Sequence, residues 1–81
     1  MSNVWRFRPL HLEILRILES RGGLVKDKEL YDALRRTYDL SFSQFLKTLL
    51  TLEIQGLVLV RQLKENVRII ELTPLGRRMQ I

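Results

Sequence analysis

Residues 49–60 read Leu49-Leu50-Thr51-Leu52-Glu53-Ile54-Gln55-Gly56-Leu57-Val58-Leu59-Val60, and the hydrophobic period changes within them. Before Gly56 the apolar residues recur at helical spacing: Phe42, Phe45, Leu46, Leu49, Leu50 and either Leu52 or Glu53 continue one stripe. After Gly56, aliphatic and β-branched residues follow one another without a break, as they do in strands. Glycine suits the left-handed conformation that closes a helix, so Gly56 lets the chain turn directly from helix into strand. At the other end Ser41 is a good N-cap, and Gln44 three residues later completes a capping box. The spacing predicts a helix from Phe42 to about Gln55, the third of the chain.

Downstream, Leu57 to Leu63 and Val67 to Leu72 read as two strands around Lys64-Glu65-Asn66. Asn66 tolerates the positive φ of a tight hairpin turn. Thr73-Pro74 reads as an N-cap followed by proline at the first helical position, and a last helical turn spans about Leu75 to Gln80. Upstream, Pro9 opens a first helix from Leu10 to Arg21, with Leu10, Ile14, Ile17 and Leu18 as its core stripe. Leu15 falls on the border of that stripe and Leu12 roughly opposite it. Arg21-Gly22-Gly23 ends the helix. Leu24-Val25 is too short for a free strand and is expected to pair with the hairpin. Asp27 and Glu29 open a second helix at its positive dipole end. Leu30, Leu34 and either Tyr31 or Ala33 face inward, and the helix stops around Thr37 to Asp39. Residues 1–8 form an N-terminal arm in which Val4, Trp5 and Phe7 alternate with charges, and residues 9–81 form a single domain.

The chain has 81 residues, 46% hydrophobic and 28% charged, with a formal net charge of +5. That balance is globular rather than disordered. Without cysteine there is no disulfide framework, thiolate metal site or cysteine nucleophile, and one histidine excludes a multi-histidine metal site. The longest apolar run, Leu57 to Val60, is far short of the ~20 residues of a membrane span. Arg6, Arg8 and Pro9 interrupt any signal-peptide core. The expectation is a cytoplasmic, nucleoid-associated protein whose natural partners are polyanions.

The element order is helix, short strand, helix, helix, strand, turn, strand and short helix. From roughly Pro9 to Arg78 it resembles the winged helix-turn-helix superfamily. Leu49 to Val58 follows an L-x-x-L-E-x-x-G-L-[VI] pattern, in which the recognition helix runs into the first wing strand. Ile69 to Arg77 contains the L-T-x-x-G turn frequent in small prokaryotic and archaeal regulators of the MarR and PadR type. Leu24 to Leu30 matches a short first strand leading into the second helix. The resemblance implies an α+β fold, a three-helix core with a short strand and a C-terminal β-hairpin wing. It implies double-stranded DNA as ligand, with the third helix in the major groove and the wing on the backbone.

On that reading Ser43, Gln44, Lys47, Thr48 and Thr51 are the base-reading candidates of the third helix. A solvated polar face is the alternative. Arg61, Lys64 and Arg68 of the hairpin are candidates for phosphate contact, or else charges that protect a strand edge. Arg35 and Arg36 sit where they clamp a phosphate or complement the helix dipole. Trp5, Phe7 and Leu12 are candidates for a homodimer or partner surface. His11 reads as a surface or packing histidine, and Asp27, Glu29 and Asp32 as capping residues rather than a cation site. With no glycine-rich phosphate loop and no Ser/His/Asp arrangement, neither enzymatic activity nor a cofactor or metal is expected. A DNA-binding transcriptional regulator acting as a homodimer is the first reading. The second is a winged-helix module that docks onto a larger replication, transcription or sorting assembly, and non-specific chromosome coating is a third.

Overall fold

The structure, a computed structural model, describes residues 9–79. The arm with Trp5 and Phe7 lies outside the described residues. The elements are α1 (Leu10–Ser20), β1 (Leu24–Lys26), α2 (Asp27–Arg35), α3 (Phe42–Ile54), β2 (Val58–Lys64), β3 (Val67–Leu72) and α4 (Pro74–Arg78). The three strands form an antiparallel sheet in the order β1-β3-β2. Leu24-Val25 thus finds the hairpin partner its shortness requires, with Val25 opposite Ile70. This is the expected three-helix core with a hairpin wing.

Strand alternation decides which sheet face is covered. Val25, Val58, Ile70 and Leu72 are buried and join Ile14, Leu18, Leu30, Leu34, Phe45, Leu49 and Leu52 of the helices in one core. On the opposite face Leu24, Glu71 and Leu59 lie side by side across the three strands, with both leucines exposed. Helix α1 departs from its expected stripe, since Leu15 is fully buried and Leu10 only half so. Helix α1 is packed by α4 as well as by α2 and β3, which widens its covered arc.

Both long helices close with a glycine. The Gly22 N–H bonds Glu19 O at 3.2 Å and the Gly23 N–H bonds Leu18 O at 2.7 Å. At α3 the Gly56 N–H bonds Glu53 O at 3.0 Å and the Leu57 N–H bonds Leu52 O at 2.9 Å. Each pair is a Schellman motif, which needs the left-handed backbone that Gly22 (φ 86°) and Gly56 (φ 78°) adopt. The hairpin turn is solved differently from the sequence expectation. Among the described residues no non-glycine has positive φ, so Asn66 does not. The register instead shifts between Gln62 and Lys64, leaving Leu63 as an extra residue. Such a bulge adds local twist and re-aims the end of the hairpin.

After β3 the chain turns back onto its own helix–strand junction. Thr73 caps α4 by accepting the Gly76 N–H at 2.9 Å, and Pro74 follows in the first turn. Gly76 is buried. A Cβ at this position would stand 2.1 Å from the Leu57 carbonyl oxygen and 2.8 Å from Leu72 Cδ1. Backbone cannot yield that much space. Gly76→Ala is therefore expected to destabilise the fold by about 1–3 kcal/mol, as overpacking does. For a domain of this size each kcal/mol lowers Tm by roughly 4–8 °C, which a circular-dichroism melt reads directly.

Candidate nucleic-acid interface

Helix α3 is fixed at both ends. Ahead of it, Tyr31 of α2 donates its hydroxyl to Leu40 O at 2.9 Å and pins the connecting turn. The Tyr31, Phe42 and Phe45 rings pack together, with Tyr31 and Phe42 edge to face at 5.1 Å. Ser41 then closes the capping box. Its Oγ accepts the Gln44 N–H at 3.1 Å, and its own N–H donates to Gln44 Oε1 at 2.9 Å. At the C-terminal end the Gly56 turn leads into β2. Along the outer side of the helix Ser43, Lys47, Leu50, Thr51 and Ile54 stay exposed.

That face differs from its sequence reading. Ser43, Gln44, Lys47 and Thr51 are exposed and Thr48 is half-buried. Three of these five already serve the helix itself. Gln44 holds the cap, Thr48 Oγ1 donates to Gln44 O at 3.0 Å, and Thr51 Oγ1 donates to Lys47 O at 3.1 Å. Each threonine hydroxyl proton is committed to the preceding turn, which leaves lone pairs and a methyl group. Lys47 is the basic residue of this helix. Beside it stand Leu50, expected in the core stripe but 55% exposed, and Ile54, 77% exposed. The signal was in the spacing. Phe45, Leu49 and Leu52 form one apolar line and Leu46, Leu50 and Ile54 another, and a helix this short cannot turn both toward one core.

The remaining cations divide into paired and open ones. Arg35 and Arg36 line an open cleft of about 620 Å³ at the α2–α3 turn, together with Ser41 and Gln44. Arg35 lies with its guanidinium 5.5 Å from the centre of the Tyr31 ring. On the wing, Arg61 pairs with Glu71 of the neighbouring strand at 3.0 Å and stays largely exposed. Lys64 is exposed and enters no ion pair among the described residues. Arg68 belongs to the inner face of β3 and reaches Asp27 Oδ2 at 3.4 Å. Asp27 is 1% exposed and also accepts the Lys28 N–H at 2.8 Å. Asp27 is thus the partner of a wing arginine as well as a first-turn acid, and Arg68 has a structural duty that the hairpin sequence does not reveal. Among the described residues no group of His, Cys, Asp or Glu is arranged to hold a metal ion.

Leu12 is exposed and lines an apolar groove of about 330 Å³ with His11, Leu15, Leu57, Leu75 and Met79. His11 also faces Thr48, Thr51 and Gln55 across a second groove between α1 and α3. Arg77 of α4 bonds Glu19 of α1 and fastens the short helix beside this surface.

No protein-family model matches the sequence, and no curated protein does. Among solved structures the chain is similar to hsRosR-S1, seen in the structure of its complex. The two agree with a TM-score of 0.74 at 19% sequence identity, over 93% of this chain and 67% of that one. The likeness shows the winged-helix fold.

Asp27 and Arg68 give the interface a separable structural test. Removing Arg68 leaves a buried carboxylate without its cation, and a buried charge so orphaned is destabilising. Arg68→Ala is expected to lower unfolding free energy by about 1–3 kcal/mol in a urea titration, less than a fully buried pair because Arg68 is one-third exposed. An unchanged urea midpoint would show that the pair contributes nothing.

Proposed function

We propose that the chain is a double-stranded DNA-binding protein, a small transcriptional regulator of the MarR or PadR type that its L-T-x-x-G turn resembles. Helix α3 enters the major groove and the β2–β3 hairpin lies on the backbone. One observation carries this reading: the winged-helix fold leaves the outer face of α3 uncovered, with open cations around it. Arg35 and Arg36 stand near its N-terminal end, Lys47 on its face and Lys64 on the wing, in a chain of net charge +5. Ser43 and Gln55 add polar groups for base edges, and Gln44 keeps the amide hydrogens that the cap leaves over. Arg61 shares its charge with Glu71, and Arg68 is left out of the contact set. No enzymatic step is assigned.

Binding of random-sequence duplex DNA, titrated with salt, tests the reading. The affinity is expected to fall linearly on a log–log plot, and each lost phosphate contact lowers the slope by about 0.9. Lys47→Ala and Lys64→Ala each weaken binding and flatten the slope by that amount. Salt-independent or absent binding at low salt overturns the proposal and favours docking onto a larger protein assembly.

Exposed Leu12, Leu75 and Met79, gathered around one groove, support a homodimer, because clustered apolar side chains at the surface mark an interface. Leu12→Asp is expected to convert a dimer to a monomer in light scattering with an unchanged far-UV spectrum. A wild-type monomer at working concentration would remove this part of the proposal.

A further inference from the structure

Two exposed apolar side chains stand among the polar residues on the outer face of α3. Leu50 and Ile54 lie one turn apart at 55% and 77% exposure. Lys47 precedes them by three and seven residues, so the three side chains share one helix face. Single exposed leucines are ordinary. An exposed leucine and isoleucine one turn apart offer a larger apolar surface than either alone. The hydroxyl protons of Thr48 and Thr51 are already donated to the helix backbone, so this stretch has few donors with which to read base edges.

In the major groove the apolar feature of a base pair is the C5 methyl of thymine, beside polar edges that lysine and glutamine read. We propose that Leu50 and Ile54 read thymine methyl groups, making the protein selective for A·T pairs where α3 meets the duplex. The inference rests on the DNA-binding reading above and deepens it. Charge complementarity selects a duplex over an apolar protein face. Lys47 flanks the apolar pair directly, and the Arg35–Arg36 cleft adjoins the start of the same helix. A polyanion that also offers methyl groups answers both features.

The methyl group can be removed from the ligand rather than from the protein. Random-sequence duplexes are selected on the full-length protein. The bound fraction is then copied twice, once with thymidine and once with deoxyuridine triphosphate, and both pools are titrated at the same salt. Wild type is expected to bind the thymine pool more tightly, by about fourfold for each methyl group buried. The Leu50→Ala/Ile54→Ala double variant binds both pools alike and keeps the salt slope of wild type. Alanine is favourable at exposed helix positions, and a far-UV spectrum checks the fold. Equal affinity of wild type for the two pools, with salt dependence intact, overturns the thymine reading alone. A double variant that keeps the preference removes these two residues from it. Loss of self-association in that variant, with no uracil effect, assigns the face to a protein instead. Absent or salt-independent binding to either pool overturns the DNA reading together with this one.

Discussion

The Thr73 hydroxyl holds three backbone segments together. It donates toward Gly56 O at 2.7 Å and Leu57 O at 3.0 Å, and it accepts the Gly76 N–H at 2.9 Å. The end of α3, the entry to β2 and the start of α4 therefore meet at one atom. Two glycines make the meeting possible for different reasons. Gly56 supplies a left-handed turn, whereas Gly76 supplies the absence of a side chain where the Leu57 carbonyl approaches. The Thr73 N–H bonds the same Leu57 carbonyl at 3.1 Å. Because β3 delivers Thr73 to this point, the hairpin returns to its own origin, and the direction of the wing relative to α3 is set by hydrogen bonds rather than by a linker.

A second tie works at the other end of β3. Asp27 begins α2 directly after β1, and Arg68 comes from β3, the strand between β1 and β2. A buried ion pair adds little net stability over an apolar pair of the same volume. It does fix partners, since Asp27 finds its cation on β3 among the described residues. Helix α2 is thereby referenced to the wing at one end and, through Tyr31 and Leu40, to α3 at the other.

The features legible in the sequence are those governed by local backbone chemistry. Ser41 with Gln44, Gly56, and Thr73 with Pro74 each satisfy or close a helix end through neighbours within a few residues, so pattern alone locates them. Features that depend on distant partners were not legible in the same way. Leu15 is buried because α4 arrives from the other end of the chain. Arg68 turns to an aspartate 41 positions away. The hairpin carries a bulge at Leu63, set by the register of β2 on β3, and Asn66 does not adopt positive φ. Leu50 continues the helical spacing of Phe42, Phe45, Leu46 and Leu49 and is nonetheless exposed. Periodicity identifies an apolar stripe and does not say how wide an arc the rest of the fold will cover.

A domain of this length buries only roughly 60% of its extended-chain surface, so some apolar side chains stay outside whatever the function. Their arrangement separates necessity from use. Leu24 and Leu59 are exposed on the outer sheet face, but Glu71 stands between them, and neither extends into a larger patch across that row. Leu50 and Ile54 adjoin each other and a lysine. Leu12, Leu75 and Met79 come from the first and last helices and border one groove. A second copy seated on that groove would extend a small core by association, which is a common remedy for small domains. Were that association two-fold, its pair of α3 helices would share the symmetry of a palindromic site. On this reading one apolar surface supplies stability and the other supplies selectivity. On the same reading the +5 charge would attract DNA of any sequence, and preference would come from the side chains that α3 turns toward base edges.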